Sequence, residues 1–141
     1  MLQILTSLTL LSRLDLLADS WILVSGKTGT FVEMSGDNVK KPTAGNLAFP
    51  IWSESNRDGS AGFSPDIHAT GKVTVMYGKL KATTDQYVGT PTVGAKLYVD
   101  ANGQLTTTTA GAGIAVAVCT KAPFEDKYLS KVYNVIEFAT I

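Results

Sequence analysis

Apolar and polar residues alternate in short runs along most of the chain, and this pattern predicts β-strands. The alternation is best over residues 72–81, where Val73, Val75 and Tyr77 fall on one face of the predicted strand. Shorter runs predict further strands at residues 21–25, 30–34, 46–53, 96–99, 104–107, 114–119 and 132–140. Eight or so short strands with no second domain predict an all-β chain, folded as a small β-barrel or β-sandwich.

Glycine-rich and Asn-Gly segments separate these runs and predict tight turns. Residues 26–29 are expected to join the first two strands into a hairpin, and residues 35–38 to form a second turn. The Asn102-Gly103 pair predicts a third hairpin, between residues 96–99 and 104–107. A linker that runs through Pro123 is expected before the last strand.

The N-terminal residues 1–20 form an apolar arm in this interpretation. No charge interrupts the segment before Arg13, it is too short to span a bilayer, and it lacks the pattern of a cleaved leader. Leucines recur at a spacing of three, so a short amphipathic helix and an extended arm are both allowed. We expect the arm to dock onto another protein surface and not to close its own domain. The partner-binding candidates are Leu2, Ile4, Leu5, Leu8 and Leu11.

Residues 21–141 are expected to form one β domain that carries a long loop at residues 39–71. Prolines and glycines punctuate this loop too often for a long element. It carries the large apolar side chains of Phe49, Trp52 and Phe63, which are further partner-binding candidates. The alternative is that these aromatic side chains cap the domain's own core.

Charge is sparse and balanced in this chain of 141 residues. The formal net charge is zero, and charged residues make up 17% of the sequence, below the roughly 25% of an average domain. Ten of the twelve basic residues are lysine, and no cluster exceeds Lys40-Lys41, so neither a nucleic acid nor a membrane surface is an expected partner. The low charge favours self-association.

Catalytic and cofactor motifs are incomplete. Residues 25–28 resemble the end of a phosphate-binding loop, but Trp21 occupies the position of its first glycine. Residues 100–103 begin like a calcium loop, but Leu105 stands where that loop requires glycine. We therefore expect no cofactor and no metal site.

The remaining candidate for chemistry is the pair Asp66 and His68, which an extended chain would place on one side. No second histidine and no positioned serine accompany the pair. The single cysteine, Cys119, lies in an apolar run and is expected to be a small buried hydrophobic residue. The sequence predicts no enzymatic activity, and none of these three residues is expected to be catalytic.

The C-terminal third carries glycine-marked strands in a recognisable order. Gly94 opens a strand over residues 94–99, the Asn102-Gly103 turn leads to Leu105, a small-residue segment covers 111–117, and an apolar strand closes at 135–138. This order resembles the small capsid decoration, or cement, proteins of tailed bacteriophages. The resemblance implies a β-rich, often trimeric virion protein seated on the outer face of an icosahedral capsid, where it bridges capsid subunits. The implied partners are the major capsid protein and further copies of the chain, as a homotrimer.

Two alternatives remain open at this point. A carbohydrate- or receptor-binding β-module of a virion, as a tail or baseplate component, would use Trp21, Trp52 and Tyr77 to stack on sugars. A small hydrolase would need a cleft that holds Asp66 and His68 beside a serine.

Overall fold

A computed structural model describes residues 2–51, 72–128 and 130–141, without the side chains of residues 6–15, Leu23, Lys72, Tyr77 and Tyr128. Within these ranges the chain forms nine strands and one short helix. Their bounds are β1 (Leu2–Ala18), α1 (Ser20–Ser25), β2 (Phe31–Ser35), β3 (Asn38–Lys40), β4 (Phe49–Pro50), β5 (Lys72–Thr84), β6 (Lys96–Val99), β7 (Leu105–Thr106), β8 (Ala117–Tyr128) and β9 (Lys131–Thr140).

The strands form one hydrogen-bonded series in the order β4-β2-β3-β1-β5-β9-β8-β6-β7. At one end, Ile51 after β4 forms a bridge with Val75 of β5, so β4-β2-β3-β1-β5 nearly closes into a barrel. At the other end, Tyr87 after β5 forms a bridge with Leu105 of β7, so the rest of the series curls back as well. The prediction of an all-β fold of barrel or sandwich type is confirmed.

Each half encloses its own apolar core. The barrel core consists of Leu16, Ile22, Val32, Val39, Ile51, Val73 and Val75. The sheet core consists of Leu2, Phe31, Ala48, Met76, Leu80, Ala82, Leu97, Val99, Leu105, Val116, Ala117, Cys119, Ile136 and Phe138.

Phe31 joins the two halves. It lies on barrel strand β2, yet its ring packs edge-on against Phe138 of β9 at a centroid distance of 5.9 Å. Its backbone N–H also donates to the Gly103 carbonyl in the β6–β7 turn at 2.9 Å. The position of that turn is therefore fixed by the barrel.

The N-terminal segment is a strand of the protein's own sheet, which decides between the helix and the extended arm. β1 pairs antiparallel with β5 from Leu2 opposite Thr84 to Leu17 opposite Lys72. The expectation that this segment does not close its own domain is wrong, because β1 supplies Leu2 to the sheet core and Leu16 to the barrel core. Three register shifts interrupt the ladder. Since each bulge inserts one residue, leucines spaced by three are compatible with a strand.

Residues 21–25 belong to α1 and are not the predicted strand. Asp19 caps the helix, because its Oδ1 accepts from the Ile22 N–H at 3.0 Å and its Oδ2 from the Lys41 N–H at 2.8 Å. The helix ends at Gly26, whose N–H donates to the Ile22 carbonyl. The hairpin predicted around residues 26–29 is therefore absent, and β2 pairs instead with β3 across Gly36 and Asp37.

The strand predicted at residues 114–119 begins later and extends further than expected. β8 begins at Ala117 and continues through Pro123, where a linker was predicted. Pro123 is tolerated because it lies in a register shift between Lys121 and Phe124, where a ladder hydrogen bond is already missing.

The other strand predictions are confirmed to within a few residues, apart from residues 46–53, where β4 covers Phe49–Pro50 within the described residues 46–51. β5, β9 and β8 lie side by side, as expected for the central strands. The predicted loop at residues 39–71 contains the end of β3 and all of β4, and its residues 52–71 lie outside the described chain.

Candidate functional site

The N-terminal partner-binding candidates do not share one surface. Leu2 is buried, and Ile4 is half-buried against the same sheet core. Leu5 is 44% exposed beside the first bulge of β1. Leu8 and Leu11 lie on β1, but their side chains are outside the description. Of the candidates whose side chains are described here, Leu5 is accessible to a partner.

Of the three aromatic candidates, the structure describes Phe49. Phe49 of β4 is half-buried and packs against the barrel core, as the alternative interpretation of a core-capping side chain expects. Trp52 and Phe63 lie outside the described residues, as do Asp66 and His68. Phe49 thus packs on the barrel core, whereas Leu2 and Ile4 pack in the sheet core.

Two loops that carry no charged side chain meet on the surface beside β6. We call residues 43–47 and 107–114 together the uncharged loop surface. The Gly45 N–H donates to the Val99 carbonyl of β6 at 2.8 Å, and the Ile114 N–H donates to the Gly45 carbonyl at 2.8 Å. The first loop thus lies between β6 and the chain that leads into β8.

Glycine at two positions allows the loops to approach each other this closely. Gly45 has φ of +83°, and a Cβ there would collide with the Ala110 carbonyl of the other loop. Gly111 has φ of +53°, and a Cβ there would collide with the Ala44 carbonyl. Each loop therefore needs glycine where the other loop's backbone lies, and the two loops pack closely against each other.

We expect Gly45→Ala to destabilise the protein by about 2 kcal/mol or more, because the substitution adds a backbone collision to an unfavourable left-handed conformation. Gly36→Ala is the matched control. Gly36 has φ of +63° in the β2–β3 turn, with nothing within 4 Å of the added Cβ, so its cost is that of the backbone conformation alone, about 1 kcal/mol. Urea denaturation measures both; equal losses would contradict the interlocked loops.

The surface carries two large exposed apolar side chains, Leu47 at 51% and Ile114 at 41% exposure. Thr43 and residues 107–112 are also exposed. Sequence reasoning did not find this site. Its signal was a lack of charge, since residues 42–53 and 101–120 contain no Asp, Glu, Lys or Arg.

Two carboxylates beside this surface, Glu33 and Asp100, have partners within the protein. Buried Glu33 accepts from the Thr43 N–H at 2.6 Å and lies 3.5 Å from the Lys40 ammonium. Asp100 accepts from the N–H groups of Asn102 and Gln104 inside the β6–β7 turn. What the uncharged loop surface offers a partner is therefore neutral: threonine, alanine, leucine and isoleucine side chains with exposed backbone.

A shallow groove of about 260 Å³ lies at the barrel end. Its lining residues are Leu17, Ala18, Asp19, Ser35, Asn38, Val39 and Lys40. Both carboxylate oxygens of Asp19 already accept backbone hydrogen bonds, from Ile22 and Lys41. The groove therefore offers no carboxylate prepared for a ligand.

A polar cluster lies between β5, β8 and β9. Glu137 Oε1 is 3.0 Å from the Lys81 ammonium and accepts from the Thr120 hydroxyl at 2.9 Å. Burial raises the pKa of Glu137, but these hydrogen bonds and the charges of Lys81 and Lys121 outweigh it, so the pKa lies below its usual value. The cluster ties together three strands beside the sheet core.

The lowered pKa predicts a pH-dependent contribution to stability. It is fully present above the unfolded pKa of glutamate, roughly 4.3, and is lost as the pH falls through the folded-state pKa. We expect Glu137→Gln to be less stable than the parent at pH 7, by up to about 1 kcal/mol, and to approach it below pH 4. Urea denaturation across this range measures the difference. The control Glu125→Gln removes an exposed carboxylate of β8; a constant difference between parent and Glu137→Gln would contradict the assignment.

Cys119 is fully buried in the sheet core, as the sequence predicted. Burial raises the pKa of its thiol, a backbone hydrogen bond at Lys121 partly opposes the rise, and the charge of the neighbouring Glu137 adds to it. A buried, protonated thiol is a poor nucleophile.

The other motifs singled out in the sequence have structural roles. Gly26 ends α1, so residues 25–28 do not lead from a strand into a phosphate-binding helix. Asp100 organises a hairpin turn. In the part of the chain that the structure covers, no three His, Cys, Asp or Glu side chains cluster as metal ligands would. None of the helices described there is long and apolar enough to cross a membrane.

Comparison with known proteins gives no relative for this chain. It matches no protein-family model, no curated protein and no solved structure.

Proposed function

We propose that the chain is a structural virion protein that binds the outer face of an assembled icosahedral capsid and stabilises it by bridging capsid subunits. In this proposal it acts without enzymatic activity, and its partners are the major capsid protein and further copies of itself, as a homotrimer. The proposal places it on the outer surface of the virion.

The observation that carries the proposal is the uncharged loop surface. It includes residues 111–114 of the small-residue segment on which the resemblance to cement proteins rests. Its two loops are held by hydrogen bonds and by close backbone contact, so little flexibility is lost when a partner binds. A rigid surface without charge suits a protein interface, where charged residues are depleted at the core.

Capsid stabilisation needs no active site. A protein that binds the assembled shell and not its free subunits shifts the assembly equilibrium by mass action. Many copies on one shell add their contributions, so each contact need be only moderately strong.

One contact weighs against the sugar-binding alternative. Trp21 is half-buried against the barrel core, and the Lys41 ammonium lies 5.6 Å from the centre of its ring. A sugar-stacking tryptophan needs an open ring face. The other two aromatic candidates, Trp52 and Tyr77, have side chains outside the description.

The thermal stability of capsid shells, measured with and without this protein, tests the proposed function. Shells are assembled from the major capsid protein of the same virion. They are heated alone and with a saturating amount of the present protein, and light scattering follows their integrity. We expect the disruption temperature to rise with added protein until the sites are filled. An unchanged disruption temperature at saturation would overturn the proposal.

A further inference from the structure

We propose that Asn102 is a site of covalent modification, whose side-chain amide deamidates when the β6–β7 turn opens away from the barrel. The folded protein prevents the reaction, because the same contacts that join the turn to the barrel hold the reacting atoms apart. This inference goes beyond the proposed function and does not depend on it.

The chemistry belongs to the pair Asn102 and Gly103. The backbone nitrogen of Gly103 loses its proton to solvent and attacks the side-chain amide carbon of Asn102. A carbon–nitrogen bond forms, and ammonia leaves. Water then opens the cyclic imide at either of its carbonyl carbons, which gives aspartate or isoaspartate. The net reaction consumes water and releases ammonia, so it needs no oxidant, reductant or enzyme.

The sequence distinguishes Asn102 from the other asparagines. It is the asparagine that a glycine follows, and glycine has no side chain to hinder the approach of its own nitrogen. The other asparagines, at positions 38, 46, 56 and 134, precede valine, leucine or arginine. Asn102 is also exposed, so water can reach its amide. Chemically, it is therefore the most reactive asparagine of the chain.

Hydrogen bonds hold the attacking nitrogen away from its target. The Gly103 N–H donates to the Asp100 carbonyl at 3.1 Å, and the Gly103 carbonyl accepts from the Phe31 N–H of the barrel at 2.9 Å. The Asn102 N–H donates to Asp100 Oδ1 at 2.8 Å. Since the nitrogen must lose its proton and turn toward the Asn102 side chain, these hydrogen bonds have to open before it can react.

Close packing restricts the same peptide. Gly103 is buried and has φ of +74°, and a Cβ there would lie 2.5 Å from Cγ2 of Thr30 and 2.6 Å from the Phe31 carbonyl oxygen. Rotation of Gly103 is therefore blocked while the turn lies against the barrel. A reaction that needs an open state follows the population of that state. Deamidation of Asn102 thus measures how often the turn leaves the barrel.

The modification prevents the contact from forming again. In isoaspartate the main chain runs through the former side chain, so the backbone before Gly103 is longer by one methylene group. The turn can then no longer place the Gly103 carbonyl opposite the Phe31 N–H. The new carboxylate also lies beside Asp100, which adds repulsion between like charges. A reversible opening thereby becomes irreversible.

Peptide mapping by mass spectrometry tests the protection. The full chain is incubated at mildly alkaline pH, both folded and in guanidinium chloride, and the deamidated fraction at Asn102 is followed with time. We expect the folded protein to react more slowly by about tenfold or more. Asn134, which precedes valine, is the internal control and should stay intact in both states. Equal rates in the two states, or no reaction of Asn102 in denaturant, would overturn the inference.

A pair of variants tests whether the turn hydrogen bonds protect Asn102. Asp100→Ala removes the carboxylate that accepts from the N–H groups of Asn102 and Gln104. We expect it to raise the folded-state deamidation rate by about threefold or more. Glu125→Ala, which removes an exposed carboxylate of β8, should leave the rate unchanged. A parent-like rate in Asp100→Ala, or an equal rise in Glu125→Ala, would contradict the protection.

Refolding tests the consequence of the modification. The isoaspartate form, made in guanidinium chloride and separated by reverse-phase chromatography, is diluted into native buffer. We expect it not to regain the circular dichroism and the unfolding midpoint of the parent. Asn102→Ala keeps every other asparagine and aspartate, and after the same incubation it should refold. Refolding of the isoaspartate form to the parent's midpoint, or an equal loss in Asn102→Ala, would overturn the inference.

Discussion

Deletion of residues 1–11 is expected to abolish cooperative folding. The deletion removes Leu2 from the sheet core, removes Ile4 from its edge, and takes away the strand that pairs with the C-terminal half of β5. Loss of one buried leucine side chain costs about 2 to 5 kcal/mol, and the exposed ladder of β5 adds to it. Since domains are stable by only about 5 to 15 kcal/mol, the remainder should not fold stably.

Thermal unfolding followed by circular dichroism measures this effect. The control is Leu5→Ala in the same segment, where an exposed leucine is shortened and the change should stay within about 0.5 kcal/mol. If the truncated chain unfolds cooperatively at the parent's temperature, the N-terminal segment is a dispensable arm after all.

We expect Phe138→Ala to lower the free energy of unfolding by about 3 to 5 kcal/mol, the largest loss for a single substitution in the core. Phe138 is fully buried at the centre of the sheet core, and its ring contacts Phe31 from the barrel half. The substitution therefore leaves a cavity and also weakens the contact that joins the halves. Val132→Ala on the same strand is the control, because Val132 is 61% exposed.

Urea denaturation of both variants measures the difference, with the unfolding midpoint as readout. A loss below about 1 kcal/mol for Phe138→Ala would mean that the two halves do not depend on this ring pair. Equal losses for the two variants would contradict the burial difference along β9.

Local sequence patterns were sufficient to predict those strands in which apolar and polar residues alternate. β5, β6 and β9 alternate clearly, and the turn at Asn102-Gly103 follows from residues that favour it. Helix α1 has capping residues at both ends, Asp19 and Gly26. Its short apolar interior contains Ile22 and Val24, whose β-branched side chains are typical of a strand, and this pattern predicted a strand over residues 21–25.

The N-terminal segment could not be placed from its own residues. Its partner β5 lies some 70 positions along the chain, and no local pattern reports such a pairing. The bulges add to the difficulty, because they interrupt the alternation of period two along β1. The leucines then recur every three residues, a spacing that is also typical of a helix.

One of the two features that define the uncharged loop surface is present in the sequence. The lack of charge in residues 42–53 and 101–120 can be read directly. That the two segments meet depends on Gly45 and Gly111 accepting each other's backbone, which is a tertiary contact. The sequence therefore shows the lack of charge in each segment but not that the two segments meet.

The central claim, attachment to an assembled capsid, is tested most directly by co-sedimentation. Purified protein is titrated into assembled shells and, separately, into unassembled capsid subunits, and the bound copies are counted by quantitative gel densitometry. We expect saturation at a fixed number of copies per capsid subunit on shells, with far weaker binding to free subunits. No retention on shells at saturating concentration, or equal binding to free subunits, would contradict it.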